Sequence, residues 1–356
     1  MYPILFEPIY KEMIWGGKKL SDRYGRVLPS DHTGESWDIT YRENEMCRAA
    51  NGEYAGRLFS EITGGDAESR ARLLGRWFER ADFPLLVKII DANSDLSIQV
   101  HPNDGQARAI SNKPGGKREM WYVLDAPEAG SLIAGLKEGV TKEAFTAAVR
   151  ANDGQAVEMT LNRLPVKRGD VIYIPAGLVH AITKGVMVAE IQQNADITYR
   201  IYDYGRIGLD GKPRRLDTGQ ALKAINFCAP AAKTAIPGIG VRGTPFTYYI
   251  ANRNFCAIKY ELDEAEYREG SDPDKFFIFT CVEGGCFIKA GDATVPLSES
   301  YSVFIPAALG EYVIESQHCK LIKSFVPDID KDFYEPLLKA GYTKQEIESK
   351  TAIDRD

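Results

Sequence analysis

With 356 residues, 44% of them apolar and 26% charged, the chain is long enough for two domains and has the make-up of a globular protein. A formal charge of −6 argues against a nucleic-acid surface, which needs a basic stripe, and no run of 18 apolar residues offers a membrane span. The start, MYPILFEPIYKEMIW, is broken by Glu7, Lys11 and Glu12 and does not read as a secretory signal, so a cytoplasmic protein is expected. Six cysteines without a CxxC pair then read as reduced, buried thiols.

In chain order, WGGKKL (15–20) and GESWDIT (34–40) read as strands and tight turns. Residues 57–80 read as two helical pieces broken at Gly64-Gly65, the second with an apolar face of Leu73, Leu74, Trp77 and Phe78. FPLLVKIIDANSDLSIQVHPND (83–104) gives an apolar run, a polar turn and a short strand ending at a histidine. Residues 119–136 read as a strand pair around the turn 126–130, and 141–151 as a helix capped by Thr141. LNRLPVKRGDVIYIPAGLVHAI (161–182) overlays ATVPLSESYSVFIPAALGEYVI (293–314) on Ile174-Pro175-Ala176 and Ile305-Pro306-Ala307, which suggests a duplicated β-unit. The fold class expected is mainly β, two jelly rolls joined by a helical segment near 214–228, rather than a parallel α/β sheet. The spans expected are 1–240 for the first domain, 241–327 for a second without metal and 328–356 for a helical tail. There Thr343 and Glu346 form a possible capping box.

Only four histidines occur, His32, His101, His180 and His318, and the settings of two of them point to chemistry. Gln99 and His101 share one face of a strand because side chains alternate with period two. His180 follows the IPAGLVHAI turn, and Glu119 puts a carboxylate at the head of an apolar strand, where burial is costly without a compensating positive charge. Two imidazoles, a carboxylate and an amide oxygen suit zinc, manganese, iron or cobalt better than calcium.

Together, WGGKKL, GESWDIT, LSIQVHPND, GKREMWYVL, IPAGLVHAI and ITYRIYDYGR resemble the type I phosphomannose isomerases of the cupin superfamily, in their short bacterial form. The resemblance implies one Zn²⁺ per chain on Gln99, His101, Glu119 and His180. It implies a catalytic Arg200, a substrate-contacting Lys117 and Ser97 near the substrate phosphate. Glu190 falls where the family carries an acid, and is either the base or a group holding a ligand histidine. Lys117 would pair with the phosphate or shield Glu119. The reaction implied interconverts mannose 6-phosphate and fructose 6-phosphate through a cis-enediol. The partner expected is therefore a sugar phosphate, for a monomer or weak homodimer. Three departures stand out: Arg118 where relatives carry a small residue, RRLDTGQAL (214–222) where they often carry a histidine, and a longer tail. The rivals are another cupin metalloenzyme, such as a dioxygenase or an epimerase, and a sugar-phosphate sensor that has lost turnover.

Overall fold

A computed structural model of the chain describes residues 1–76, 78, 83–228, 234–263 and 266–355; Trp77 lies outside the described residues. Short strands dominate, and no helix among the described residues is long and apolar enough to cross a membrane. Two compact units share the chain discontinuously. One takes Tyr10–Ser36 and Ile89–Ala235, the other Met1–Ile9, Trp37–Lys88 and Ile236–Asp356. These units are drawn differently from the contiguous spans 1–240, 241–327 and 328–356, because N-terminal segments and the tail pack with the C-terminal strands.

Apart from the ends of Thr33–Ile39 and Leu85–Asp91, which fall beyond its limits, the first unit is a two-sheet sandwich. A six-stranded sheet runs in the order Ile9–Gly17, Thr33–Ile39, Leu85–Asp91, Met187–Gln193, Glu119–Asp125, Val171–Ile174. A five-stranded sheet runs Tyr199–Tyr202, Ile98–Val100, His180–Ile182, Ser131–Leu136, Leu161–Pro165. Apolar side chains from both, among them Trp121, Val123, Ile172, Ile174, Leu132 and Ile182, fill the space between the sheets. The turn 126–130 is where the sequence places it, closed by Gly130 N–H donating to Pro127 O at 2.8 Å. Its two strands do not pair, however. Glu119–Asp125 belongs to one sheet and Ser131–Leu136 to the other, so this turn carries the chain across the sandwich. Alternation alone cannot distinguish a hairpin from such a crossing.

Helices Asp104–Ser111, Lys142–Ala151, Gly154–Thr160 and Thr218–Ala224 cover the outer face of the five-stranded sheet through Ala107, Phe145, Val149, Val157 and Ala221. Ile98, Val100, Val179 and Ala181 meet them, which leaves Gln99 and His180 directed into the sandwich. Thr141 caps its helix as expected, accepting from Ala144 N–H at 3.1 Å. Two stretches correct the local reading: Lys19–Tyr24 is a short helix rather than strand and turn, and the helical pieces of 57–80 are Phe59–Thr63 and Ala67–Leu74.

The second unit is built on an eleven-stranded sheet. The repeat shows in its register: Ile305 faces Phe277 just as Ile174 faces Glu119, and Lys323 faces Phe279 just as Glu190 faces Trp121. At the counterpart of Glu119 stands Phe277, part of an aromatic pocket around a fixed cation. The buried Lys323 Nζ lies 3.6 Å from the Phe277 ring centroid and bonds Tyr260 Oη and the Glu269 carboxylate. The tail is part of this unit's core, with Phe333, Leu337 and Ile347 buried and Ala352–Asp354 running parallel to Phe246–Asn252. Its capping box forms, Glu346 N–H donating to Thr343 Oγ1 and Thr343 N–H to the Glu346 carboxylate. All six cysteines are free; five are buried as expected, but Cys228 is exposed.

Candidate metal centre

Antiparallel register builds the site. Arg200 faces Gln99, Gln99 faces His180 and His180 faces Ala134, a row across four adjacent strands on the inner face of the five-stranded sheet. His101 lies two residues beyond Gln99, on the same face. From the opposite sheet Glu119, between Gln192 and Ile174, points into the sandwich. The IPAGL turn is tied to the row by Gly177 N–H, which donates to His101 O at 2.8 Å. Gly177 adopts φ +85°, and a Cβ there would meet Asn226 at 2.9 Å, so the turn needs glycine on two counts.

His101, Glu119 and His180 are fully buried, and one donor atom from each lies within 4.8 Å of the other two; among the described residues no other His, Cys, Asp or Glu group does so. His101 Nδ1 donates to Ile197 O at 2.9 Å and His180 Nδ1 to Leu178 O at 2.8 Å. Carbonyls only accept, so each Nδ1 carries a proton. Burial, then the Lys117 ammonium, pushes the His101 pKa from 6.5 to about 3, and burial lowers His180 too. Both rings are therefore neutral and both Nε2 atoms bare, yet these lone pairs face each other 3.1 Å apart. Burial works to raise the Glu119 carboxyl, but the Lys117 ammonium beside it outweighs that and holds the group well below its usual range. An ionised Glu119 Oε1 then lies 3.1 Å from His101 Nε2. Two lone pairs and a buried carboxylate converge with no proton among the three of them, an environment a cation satisfies. The residues fit a metal ion. Gln99 lies beside them, its amide Nε2 3.3 Å from His180 Nε2.

Lys117 lies against this cluster, Nζ 2.5 Å from Glu119 Oε1 and almost wholly buried. Its loop is docked by Lys117 N–H to Pro102 O at 3.0 Å and Gly116 N–H to Asp104 Oδ1 at 2.6 Å. A Cβ on Gly116 would come within 2.4 Å of the Pro102 carbonyl, so only glycine allows this approach. Arg118, expected at the rim, is buried instead, its N–H donating to Gln193 Oε1 at 2.9 Å. Glu190 accepts from Trp121 Nε1 at 2.9 Å, and the Trp121 ring stands edge-on to His180 at 5.5 Å. Arg200 Nε donates to Ser97 Oγ at 3.3 Å; burial, then Arg214, pulls its pKa below the usual range. Arg206 and Arg214 both bind the buried Asp203 carboxylate.

Residues 4–129 match the family described as phosphomannose isomerase type I, catalytic domain, and residues 245–326 the mannose-6-phosphate isomerase cupin domain. Mannose-6-phosphate isomerase ManA of Bacillus subtilis is 34% identical over 88% of this chain and 96% of its own length. The chain belongs to the type I phosphomannose isomerase family. A probable mannose-6-phosphate isomerase of the same organism, GmuF, is 39% identical over 88% of the isomerase described here and 96% of its own length. The crystal structure of the Bacillus subtilis mannose 6-phosphate isomerase superposes with a TM-score of 0.78 at 32% identity, covering 91% of this chain and 99% of that one. A putative mannosephosphate isomerase from Archaeoglobus fulgidus, 22% identical, shares the fold at a TM-score of 0.72, covering 91% and 98%.

The structure brings Gln99, His101, Glu119, His180 and Lys117 of this isomerase together, puts Arg200 in the same row and attaches Ser97 to Arg200. Glu190 meets Trp121, whose ring stands against His180. Sequence reading passed over Trp121 and Gln193, whose roles depend on contacts 69 and 75 residues away in the chain. It noted the segment 214–222 as a departure without assigning Asp217.

The neutral imidazoles set a pH dependence. The unfolded chain protonates His101 near pH 6.5, while the folded chain resists until about 3. This group's contribution to stability is therefore full above pH 6.5 and is lost progressively as the pH falls below it. Urea unfolding of metal-free protein should show its midpoint dropping between pH 6.5 and 5.5. A flat profile there would mean the rings are already protonated.

Proposed function

We propose that the chain is a zinc-dependent aldose–ketose isomerase that interconverts mannose 6-phosphate and fructose 6-phosphate, acting in the cytoplasm as a monomer or weak homodimer. The observation that carries this reading is the pair of bare imidazole nitrogens converging with the ionised Glu119, with His180 in one register row with Gln99 and Arg200. The names of the relatives supply the substrate. Gln99, His101, Glu119 and His180 would hold the ion, a mixed nitrogen and oxygen set suited to zinc. Zinc bound there supplies a Lewis acid for the oxygens on C1 and C2 of the open-chain sugar.

The reaction moves a proton from C2 to C1 through a cis-enediol. Arg200, permanently charged and partly desolvated, stabilises the negative charge that develops on the enediol oxygens. Ser97 fixes its guanidinium. Glu190 is engaged by the Trp121 indole, which supports the reading in which it orients the wall behind His180 over the reading in which it is the base. Lys117 pairs with Glu119 and offsets the burial of that carboxylate. This favours the shielding role over the phosphate role.

Conversion of mannose 6-phosphate by the purified protein, lost on chelation and restored by zinc, tests the proposal; absence of turnover with zinc fully loaded would refute it. The Lys117→Ala variant sharpens the test. Because the wild-type ammonium lies on Glu119, the variant should lose turnover in equal proportion on mannose 6-phosphate and on any trace activity with free mannose. A loss confined to the phosphorylated sugar would return Lys117 to the phosphate.

A further inference from the structure

We infer that Asp217 is a positioning residue for the isomerisation, fixing the backbone that aims Arg200; the inference rests on the function proposed above. Tyr199–Tyr202 is an edge strand of the five-stranded sheet, and its register against Ile98–Val100 shifts between Arg200 and Tyr202. Such an irregularity re-aims a side chain, but at an edge nothing in the sheet holds it in place. Asp217 supplies the hold. Its N–H donates to Arg200 O at 2.7 Å, and its Oδ2 accepts from Arg200 N–H at 3.2 Å, so both outward main-chain groups of Arg200 are taken by one residue. Two residues earlier, Arg215 O accepts from Arg200 Nη1 at 3.0 Å.

The carboxylate is diverted from the work its position normally implies. Asp217 is the N-cap of helix Thr218–Ala224, where an aspartate ordinarily accepts from the backbone of the first turn. Here it makes no capping bond, with φ −110° and ψ 43°. Its second oxygen meets the largely exposed Arg215 Nε at 3.3 Å. A side chain that leaves its own helix uncapped to hold the main chain of Arg200 serves the arginine.

A charge stabiliser acts only from the right place, and a displacement of about 1 Å can cost a hundredfold in rate. Asp217→Ala should therefore lower kcat by about tenfold to a hundredfold with KM, zinc content and Tm little changed. Asp217→Asn, which keeps an acceptor for Arg200 N–H, should recover most of the turnover. In an Arg200→Ala background, Asp217→Ala should cost nothing further, because the two act as one unit. Wild-type kcat in Asp217→Ala, an equal loss in the Arg200→Ala background, or failure of Asn to rescue would each overturn the assignment. Should the wild type fail to isomerise mannose 6-phosphate, the functional reading falls separately. The clamp would then be decided by the Arg200 Nε–H NMR resonance, expected sharp in wild type and Asp217→Asn and broadened in Asp217→Ala. An unchanged resonance in Asp217→Ala would refute it.

Discussion

Replacing either His101 or His180 with alanine should abolish zinc retention and turnover together. Each imidazole presents a bare Nε2 to the same point, its Nδ1 proton held by a backbone carbonyl, so no rotation of a neighbour can supply the missing lone pair. Lys117, the nearest other side chain to Glu119, brings a positive charge and cannot ligate in that state. Metal measured after dialysis should fall from near one per chain to near zero, and kcat with it. A thermal scan gives an independent readout. An ion that binds only the folded chain raises Tm with its concentration, so the wild type should show that rise and both variants should lack it. Full metal content with full turnover in either variant would remove that histidine from the site.

Arg200→Ala should separate metal from chemistry. The arginine is in the row with Gln99 and His180, and it hydrogen-bonds to Ser97 Oγ, Arg215 O and Asp217 rather than to a ligand atom. The variant should keep its zinc and its fold while kcat falls by roughly two to three orders of magnitude, the scale for losing one preorganised charge stabiliser. Arg200→Lys should recover little, because an ammonium cannot reproduce the planar fork that reaches Ser97 and Arg215 at once. If KM alone rose, with kcat kept, Arg200 would belong to substrate binding rather than to the developing charge.

What the sequence determined by itself lay within a few residues along the chain. The period of a strand put Gln99 and His101 on one face, and a capping threonine marked each of the helices starting at Lys142 and Lys344. The repeated Ile-Pro-Ala marked two equivalent strand ends, and the specific runs LSIQVHPND and ITYRIYDYGR carried the family resemblance. Only the tertiary structure decided what depends on distant partners. Glu119–Asp125 and Ser131–Leu136 could have been a hairpin, but the interleaved core of Trp121, Leu132 and Ile182 draws them into facing sheets. The tail reads as helical from its capping box, but its packing partner came only with the fold: Phe333, Leu337 and Ile347 are buried in the second unit. Lys117 turned to Glu119 because the Pro102 carbonyl and Asp104 dock its loop, and Asp217 left its helix for Arg200 because an edge strand leaves main-chain groups unpaired. Side-chain periodicity is a local property of backbone geometry. Which face meets which, and which polar group finds a buried partner, is settled by packing between segments that the sequence keeps far apart.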